Sequence, residues 1–364
     1  MKTRTMTIIL AATALMAAAA CTNDNDTVTN PDAPVPARIT AGMAAAVATP
    51  AAKAGQPGTR AVDDSWNGDH IGVIVLNSPG SDMAAQYRNA HYKTTSTGTT
   101  AEFTPADLAQ TIYFSGPDET VEFAAYAPYQ ASATPDALPG TDGLLSFDTR
   151  VQTTAAQQEA IDILVATGAM ASKSSPTVRF TKVDNAHDYS FHHIMTRLVL
   201  KIETPAANGF APADVERISQ VMTGGLYTTG TLNVKPDPAT GSAFGWSYDV
   251  ASRTDGWDIT QNVNRVEAKN GVTQRIYTLI FPQQQVTDNA GNDLSALPLS
   301  ITLDNQVYKN DKDITGNVGT KGFFESGKSY EYTISLKKTG LEVTGATITN
   351  WADGGTGSGD ATKQ

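Results

Sequence analysis

Cysteine is all but missing from this sequence: of 364 residues, only Cys21 carries a thiol. No disulfide can close within the chain and no zinc site can draw on a set of thiolates, so stability must come from hydrophobic burial. Histidine is nearly as scarce. No two of His70, His91, His187, His192 and His193 stand at the four-residue spacing of a helical zinc motif. His192 and His193 are adjacent, so on a strand they face opposite ways and cannot hold one ion together. Basic residues are outnumbered, 26 against 37 acidic, which argues against nucleic acid or an anionic lipid surface as a partner. There is no Gly-x-Ser-x-Gly elbow and no Walker-type phosphate loop. The acidic loops at 288–293 and 311–313 lack the spaced ligands and closing Glu of an EF-hand, and turn-forming Asx residues account for them. No catalytic residue, metal or cofactor is expected.

Beyond residue 20 no hydrophobic stretch is long enough to cross a bilayer. The start of the chain reads as a signal peptide: Lys2 and Arg4 are followed by an uncharged run at 6–20, which ends in Ala18-Ala19-Ala20 before Cys21. A signal peptidase requires small side chains before its cut, and lipoprotein processing also requires the thiol. Cys21 is therefore the expected lipidation residue of an exported bacterial lipoprotein. A lipobox usually has Leu three residues before the cysteine, where this chain has Ala18. Each buried methylene of an acyl chain adds about 0.8 kcal/mol, so a multiply acylated Cys21 would hold the chain firmly on the outer membrane. Loss of the leader leaves 344 residues with 24 basic and 37 acidic side chains, net −13, enough chain for two ordinary domains.

What is abundant is Thr, Gly, Asn and Asp between short runs rich in Val, Ile, Tyr and Phe, the composition of an all-β protein. Helical periodicity is confined to short stretches near 105–110, 155–160 and 212–216. Residues 22–37, with Pro31, Pro34 and Pro36, read as a tether. A small, alanine-rich strand is expected at 39–47, and a loop of Pro, Gly, Ala and Lys follows at 49–59. Further strands are expected at 70–76, 87–93, 101–103, 144–147, 161–166 and 178–183. Two more, at 112–114 and 121–127, flank a Gly-Pro-Asp turn and read as a hairpin. A second half opens with a long run at 189–202 and continues at 215–222, 229–234, 274–281, 299–303 and 341–348. At 329–337, Tyr330, Tyr332, Ile334 and Leu336 alternate with Glu331, Thr333, Ser335 and Lys337, the pattern of a half-buried strand. Strands this frequent, without long helices, indicate antiparallel β-sandwiches in tandem.

Several segments carry a family resemblance. They are Thr59-Arg60-Ala61, Ser65-Trp66, Gly68-Asp69-His70-Ile71-Gly72-Val73, and then Tyr87, Asn89 and Tyr92. Val121-Glu122-Phe123-Ala124-Ala125-Tyr126-Ala127-Pro128-Tyr129, Asp162-Ile163-Leu164-Val165-Ala166 and Phe191-His192-His193-Ile194-Met195-Thr196-Arg197-Leu198 follow. The end has Phe324, Gly327-Lys328-Ser329-Tyr330, Leu341 and Ile348-Thr349-Asn350-Trp351. In this order, behind a lipoprotein signal, the chain resembles the fimbrillin-like lipoproteins of Bacteroidales.

The resemblance implies two transthyretin-like β-sandwich domains, 38–186 and 187–351, between a tether at 21–37 and a flexible tail at 352–364. It implies a surface pilus subunit whose partners are other fimbrial subunits. It also implies a cut at Arg60-Ala61 that removes the strand at 39–47 and opens a groove for a strand from another subunit. Arg38 is the rival cut site, though cutting there would leave the first strand in place. The tail beyond Trp351 lacks the alternation of a donor strand, so the donor would be 341–348 swung out of its own domain, or the protein would sit at a pilus end. The alternative is a surface lipoprotein that stays monomeric and binds a glycan or host protein.

Overall fold

The computed structural model of the chain describes residues 33–44, 65–134, 136–235, 244–254, 256–262, 265–267, 273–282, 286–287, 293–294, 297–310 and 324–350. The first half is built from β1 (Val35–Pro36), β2 (Arg38–Gly42), β3 (His70–Asn77), β4 (Ala90–Lys93), β5 (Thr100–Pro105) and β6 (Tyr113–Phe114). It continues with β7 (Val121–Ala127), β8 (Leu144–Asp148), β9 (Leu164–Ala171), β10 (Thr177–Phe180) and β11 (His192–His193). Eight of these form one sheet in the order β10-β2-β5-β4-β3-β7-β9-β11. The sheet bends where β5 changes partner, pairing β2 through Thr100 to Phe103 and β4 through Thr104 and Pro105. Bent in this way, it encloses a first core to which β2, β3, β7, β9 and β10 all contribute.

The continuous apolar run of β3 has a simple cause. Ile71, Val73 and Val75 face the first core, while Ile74 faces a second set of side chains on the other side of the sheet. A strand covered on both faces has no polar positions to alternate with. Gly72 lies between them because Tyr126 crosses it: a Cβ there would meet the Tyr126 ring at 2.3 Å and Asn89 Oδ1 at 2.6 Å. The Tyr126 hydroxyl donates to Asn89 Oδ1 at 2.8 Å, and Asn89 Nδ2 donates to the Gln130 carbonyl, also at 2.8 Å. One network thus accounts for three of the family-like positions.

The second half uses β12 (Thr196–Glu203), β13 (Ile218–Thr223), β14 (Thr229–Asn233), β15 (Gly245–Tyr248) and β16 (Thr273–Ile280). It ends with β17 (Leu299–Leu303), β18 (Gln306–Lys309), β19 (Lys328–Lys337) and β20 (Gly340–Asn350). A five-stranded sheet runs Arg265–Glu267, β16, β12, β19, β20; a four-stranded sheet runs Trp257–Asp258, β13, β17, β18. Leu198, Leu200, Ile202, Ile276, Tyr332, Ile334 and Leu336 meet Val221, Leu299, Ile301 and Leu303 in the core between them. On β19 Tyr330, Tyr332, Ile334 and Leu336 are all buried, as the alternation expects, but Ser335, expected on the other face, is buried too, beyond a register shift at Thr333/Ile334.

A third core joins the halves. β8, from the first half, pairs antiparallel with β14, from the second, and β15 completes a three-stranded sheet. Leu145, Phe147, Ile163, Met195, Leu232 and Phe281 lie in this seam. Gln152, fully buried, imitates a strand there: its Nε2 donates to the Leu279 carbonyl at 2.7 Å, and its Oε1 accepts from Leu279 N at 2.9 Å.

The all-β expectation therefore holds, and some local readings change. Val35–Pro36, read as tether, pair with Tyr113–Phe114. That pairing also replaces the expected hairpin of 112–114 with 121–127, because β7 has both edges occupied, by β3 and β9. The strand expected at 161–166 is preceded by a helix, Ala155–Ile161, whose Thr154 and Gln157 form a capping box. The strand itself begins at Leu164. The long run at 189–202 divides into β11 and β12. Of the first expected strand, residues 45–47 lie outside the described residues, and the ladder is Arg38–Gly42 with Met43 bridged to Phe191.

Candidate functional site

β2 opens the fold yet lies in the interior of a sheet. On one edge it runs parallel to β10, with Arg38 opposite Thr177 and Ala41 opposite Phe180. On the other it runs antiparallel to β5, with Ile39 opposite Phe103 and Gly42 opposite Thr100. The ladder extends beyond the strand in both directions. Ala37 N donates to the Ile112 carbonyl at 2.9 Å, Arg38 N to Pro176 at 2.8 Å and Met43 N to Thr99 at 2.8 Å. At the far end Phe191 N donates to the Gly42 carbonyl at 2.9 Å, and Ala44 N donates to the Phe191 carbonyl at 3.0 Å.

The period-2 pattern of a strand decides which side chains fill the slot. Ala37, Ile39, Ala41 and Met43 point into the first core and are 7 %, 2 %, 0 % and 6 % exposed, whereas Arg38 faces solvent. Two of these four are alanines because aromatic rings already fill the space beneath. Trp66 packs edge-on against Phe103 and Phe191, each at 5.1 Å between centroids, and Phe180 packs against Phe191 at 5.7 Å. Without residues 35–44, β5 and β10 would each expose an unpaired edge over an apolar floor, the arrangement that recruits another strand.

The last strand is held differently. Among the described residues β20 pairs with β19 alone, and only Leu341, bridged to Asn310, pairs with the opposite side through its backbone. Its register shifts once, between Thr333 and Ile334 on the partner strand. Leu341 is buried, but Val343, Ala346 and Ile348 are only half-buried against the second core.

Cys21, Arg60 and Ala61 lie outside the described residues, as do most of the acidic loops at 288–293 and 311–313. Arg38 is described, and its backbone is engaged in the ladder on β10. The histidines occupy structural positions. His193 Nδ1 is 2.7 Å from Asp162 Oδ1, with both side chains at most 1 % exposed. His192, on the opposite face, lies 3.9 Å from Asp188. His70 Nδ1 and His91 Nε2 are 2.7 Å apart, and His91 stacks on Tyr129 at 3.7 Å. Burial, with His70 and Lys93 alongside, pushes the His91 imidazole down to about 4. Among the described residues no three His, Cys, Asp or Glu side chains converge on a metal position.

A shallow cavity of about 500 Å³ lies beside the seam, lined by Asp148, Arg150, Gln220, Met222, Trp257 and Asp258. Its polar groups bond one another. Arg150 Nε is 3.0 Å from both Asp148 oxygens, Gln220 Nε2 donates to Asp258 at 2.9 Å, and Trp257 Nε1 donates to the Arg150 carbonyl. Sequence reasoning missed Phe180, Phe191 and Trp66 as the walls of the slot. The only signal for Trp66 and Phe191 was membership in the family-like segments, and Phe180 had none beyond its place in the strand expected at 178–183.

A family model described as fimbrillin-like matches residues 59–351. A candidate fimbrium subunit of Bacteroides uniformis, Fim1C, is 27 % identical over 304 residues, 82 % of this chain and 83 % of that one. A crystal structure of a candidate cell adhesion protein from Bacteroides uniformis aligns with a TM-score of 0.58 and 22 % identity, over 88 % of this chain and 98 % of the other. One from Bacteroides ovatus aligns over the same shares with a TM-score of 0.58 and 21 % identity. Both share the fold.

Proposed function

The chain belongs to the fimbrillin-like family, and on that premise we propose that it is a structural or adhesive subunit of a cell-surface fimbrium, without catalysis, that assembles by exchange of its first strand. The observation that carries this reading is the position of β2. It is an early strand in an interior place, bonded along both edges, two of whose four inward side chains are alanines and whose departure would leave a complete slot. In this reading Cys21 brings the precursor to the outer membrane, and a protease cuts at Arg60-Ala61 in the segment that follows the first strand. Arg38 is the poorer substrate, because a protease must take its target in an extended, unpaired form and the Arg38 backbone is already paired. The precursor has two sandwich domains, 38–186 and 187–351, of which the cut removes the first strand, and its partners are other fimbrial subunits, with a bacterial or host surface as ligand.

The strand given to the next subunit is β20. It is an edge strand, released by breaking one ladder rather than two, and it carries Leu341, Val343, Ala346 and Ile348 toward one side. A subunit that keeps β20 in place would take a strand and give none, which fits a fibre end.

The test is incubation of the purified precursor with an arginine-specific protease. Cutting at Arg60 followed by high-molecular-weight ladders, alone or with partner subunits, is the expected result. A precursor that is cut and remains monomeric with every partner subunit offered would overturn strand exchange. It would leave a surface lipoprotein that binds a glycan or host protein, assayed on the uncut form.

A further inference from the structure

One short stretch, residues 191–196, touches three things that the proposed assembly must coordinate. At its start, Phe191 forms the last two backbone bonds of the first-strand ladder, to Gly42 and Ala44, and its ring belongs to the floor of the slot. Two residues on, His193 is fixed to Asp162 by the buried 2.7 Å contact, while its backbone pairs with Leu164 on β9. At its end the stretch is stapled to the turn at 325–327. Ser326 Oγ donates to the Ile194 carbonyl at 2.9 Å, Gly327 N donates to the Met195 carbonyl at 3.0 Å, and Thr196 Oγ1 donates to the Glu325 carbonyl at 2.8 Å. That turn leads directly into β19, which among the described residues is the sole strand partner of β20.

The fit at the turn is close. Gly327 has φ +68°, and a Cβ on it would lie 2.7 Å from the His193 carbonyl oxygen. Only glycine allows the two backbones to approach in this way. Two of the family-like segments, Phe191-His192-His193 and Gly327-Lys328-Ser329-Tyr330, are therefore in direct contact.

We infer that residues 191–196 couple the occupancy of the first-strand slot to the hold on β20, so that emptying the slot loosens the last strand and refilling it tightens that strand again. The inference rests on the strand-exchange reading and adds regulation to it: a subunit releases its own terminal strand only after its first strand has gone. The two-state element is the slot, filled or empty. When it empties, Phe191 loses both backbone partners on that side, and the strap it begins is free to shift against residues 325–327. A site is coupled to another when the two states bind a shared element with different free energy, and this strap supplies the shared element.

The experiment uses the full chain, cut with an arginine-specific protease and separated from its first strand in mild denaturant. Hydrogen–deuterium exchange is then read by mass spectrometry, with and without a synthetic peptide of residues 33–47. The expected result is that peptide binding slows exchange at 100–104 and 177–180, where the slot is, and also slows it at 340–350 by roughly 5-fold or more. Exchange at 299–303, in the opposite sheet, serves as the internal reference and should not respond. The double variant Thr196→Val/Ser326→Ala removes two of the three staples. It should still bind the peptide at 100–104 but lose most of the response at 340–350. Protection of the slot with no response at 340–350 in the unaltered chain overturns the coupling and leaves strand exchange intact. A peptide that protects nothing, at the slot or elsewhere, overturns the strand-exchange reading, and the coupling falls with it.

Discussion

The first strand and the last strand of this fold are held in opposite ways. β2 is five residues bonded on both edges, with Ile39 and Ala41 at 2 % and 0 % exposure. β20 is eleven residues bonded on one edge, with half-buried apolar side chains. The difference shows where selectivity lies. In the slot two backbone ladders grip the strand, with groups any sequence possesses, and two of its four inward side chains are alanines. A guest of suitable alternation can therefore replace the native strand. On β20 a single ladder and mostly half-buried side chains supply the hold, so that strand leaves at lower cost than β2.

That contrast can be broken or sharpened in order of effect. Ile39→Ala leaves a cavity in the first core beside its cross-strand partner Phe103 and should destabilise the uncut protein by about 2–5 kcal/mol, read as a lowered urea midpoint. A loss below that of an exposed residue would mean that the slot does not grip its occupant by its side chain at all. Ala41→Leu tests the same wall from the other direction. Overpacking a fully buried position should cost about 1–3 kcal/mol, and calorimetry would register it as a lowered Tm. Ile348→Ala, on the last strand, should cost about 1 kcal/mol, because that side chain is already partly in water. If it matched Ile39→Ala, the distinction between the two strands would fail.

The smallest effect is expected from pH. His91, on the β4 wall, has its imidazole held down to about 4 from 6.5 by burial and its cationic neighbours. Between those values the unfolded chain takes up a proton that the folded chain refuses, so stability falls as pH drops from about 6.5 to about 4 and levels off below. Solvent reaching a partly buried ring keeps this modest. His91→Asn should flatten the slope of urea stability over that window, and an unchanged slope would remove His91 as its source.

Much of this was legible in advance where a signal was local. The alternation at Tyr330, Tyr332, Ile334 and Leu336 requires only the chain itself, as does the unbroken run of β3. What could not be read was choice of partner. The Gly-Pro-Asp turn after Phe114 is a genuine turn signal, but β7 was already claimed on both sides by β3 and β9, strands remote in sequence. The parallel pairing of Arg38–Gly42 with Thr177–Phe180 joins segments separated by most of the first half, and no spacing announces it. The same holds for Asp162 and His193. Each looks unremarkable alone, and only the pairing of β9 with β11 brings them to 2.7 Å.

The parallel partner of β2 has one more consequence. Because β10 runs with the first strand and β5 runs against it, the two walls are not interchangeable, and the slot has an arrow. A guest entering backwards would face the wrong ladder on each side and miss the bonds that the walls present. Any open fibre joined through such slots must then point every subunit the same way, in a head-to-tail series. Its two tips would differ in kind: one would show an empty slot, the other an unclaimed strand.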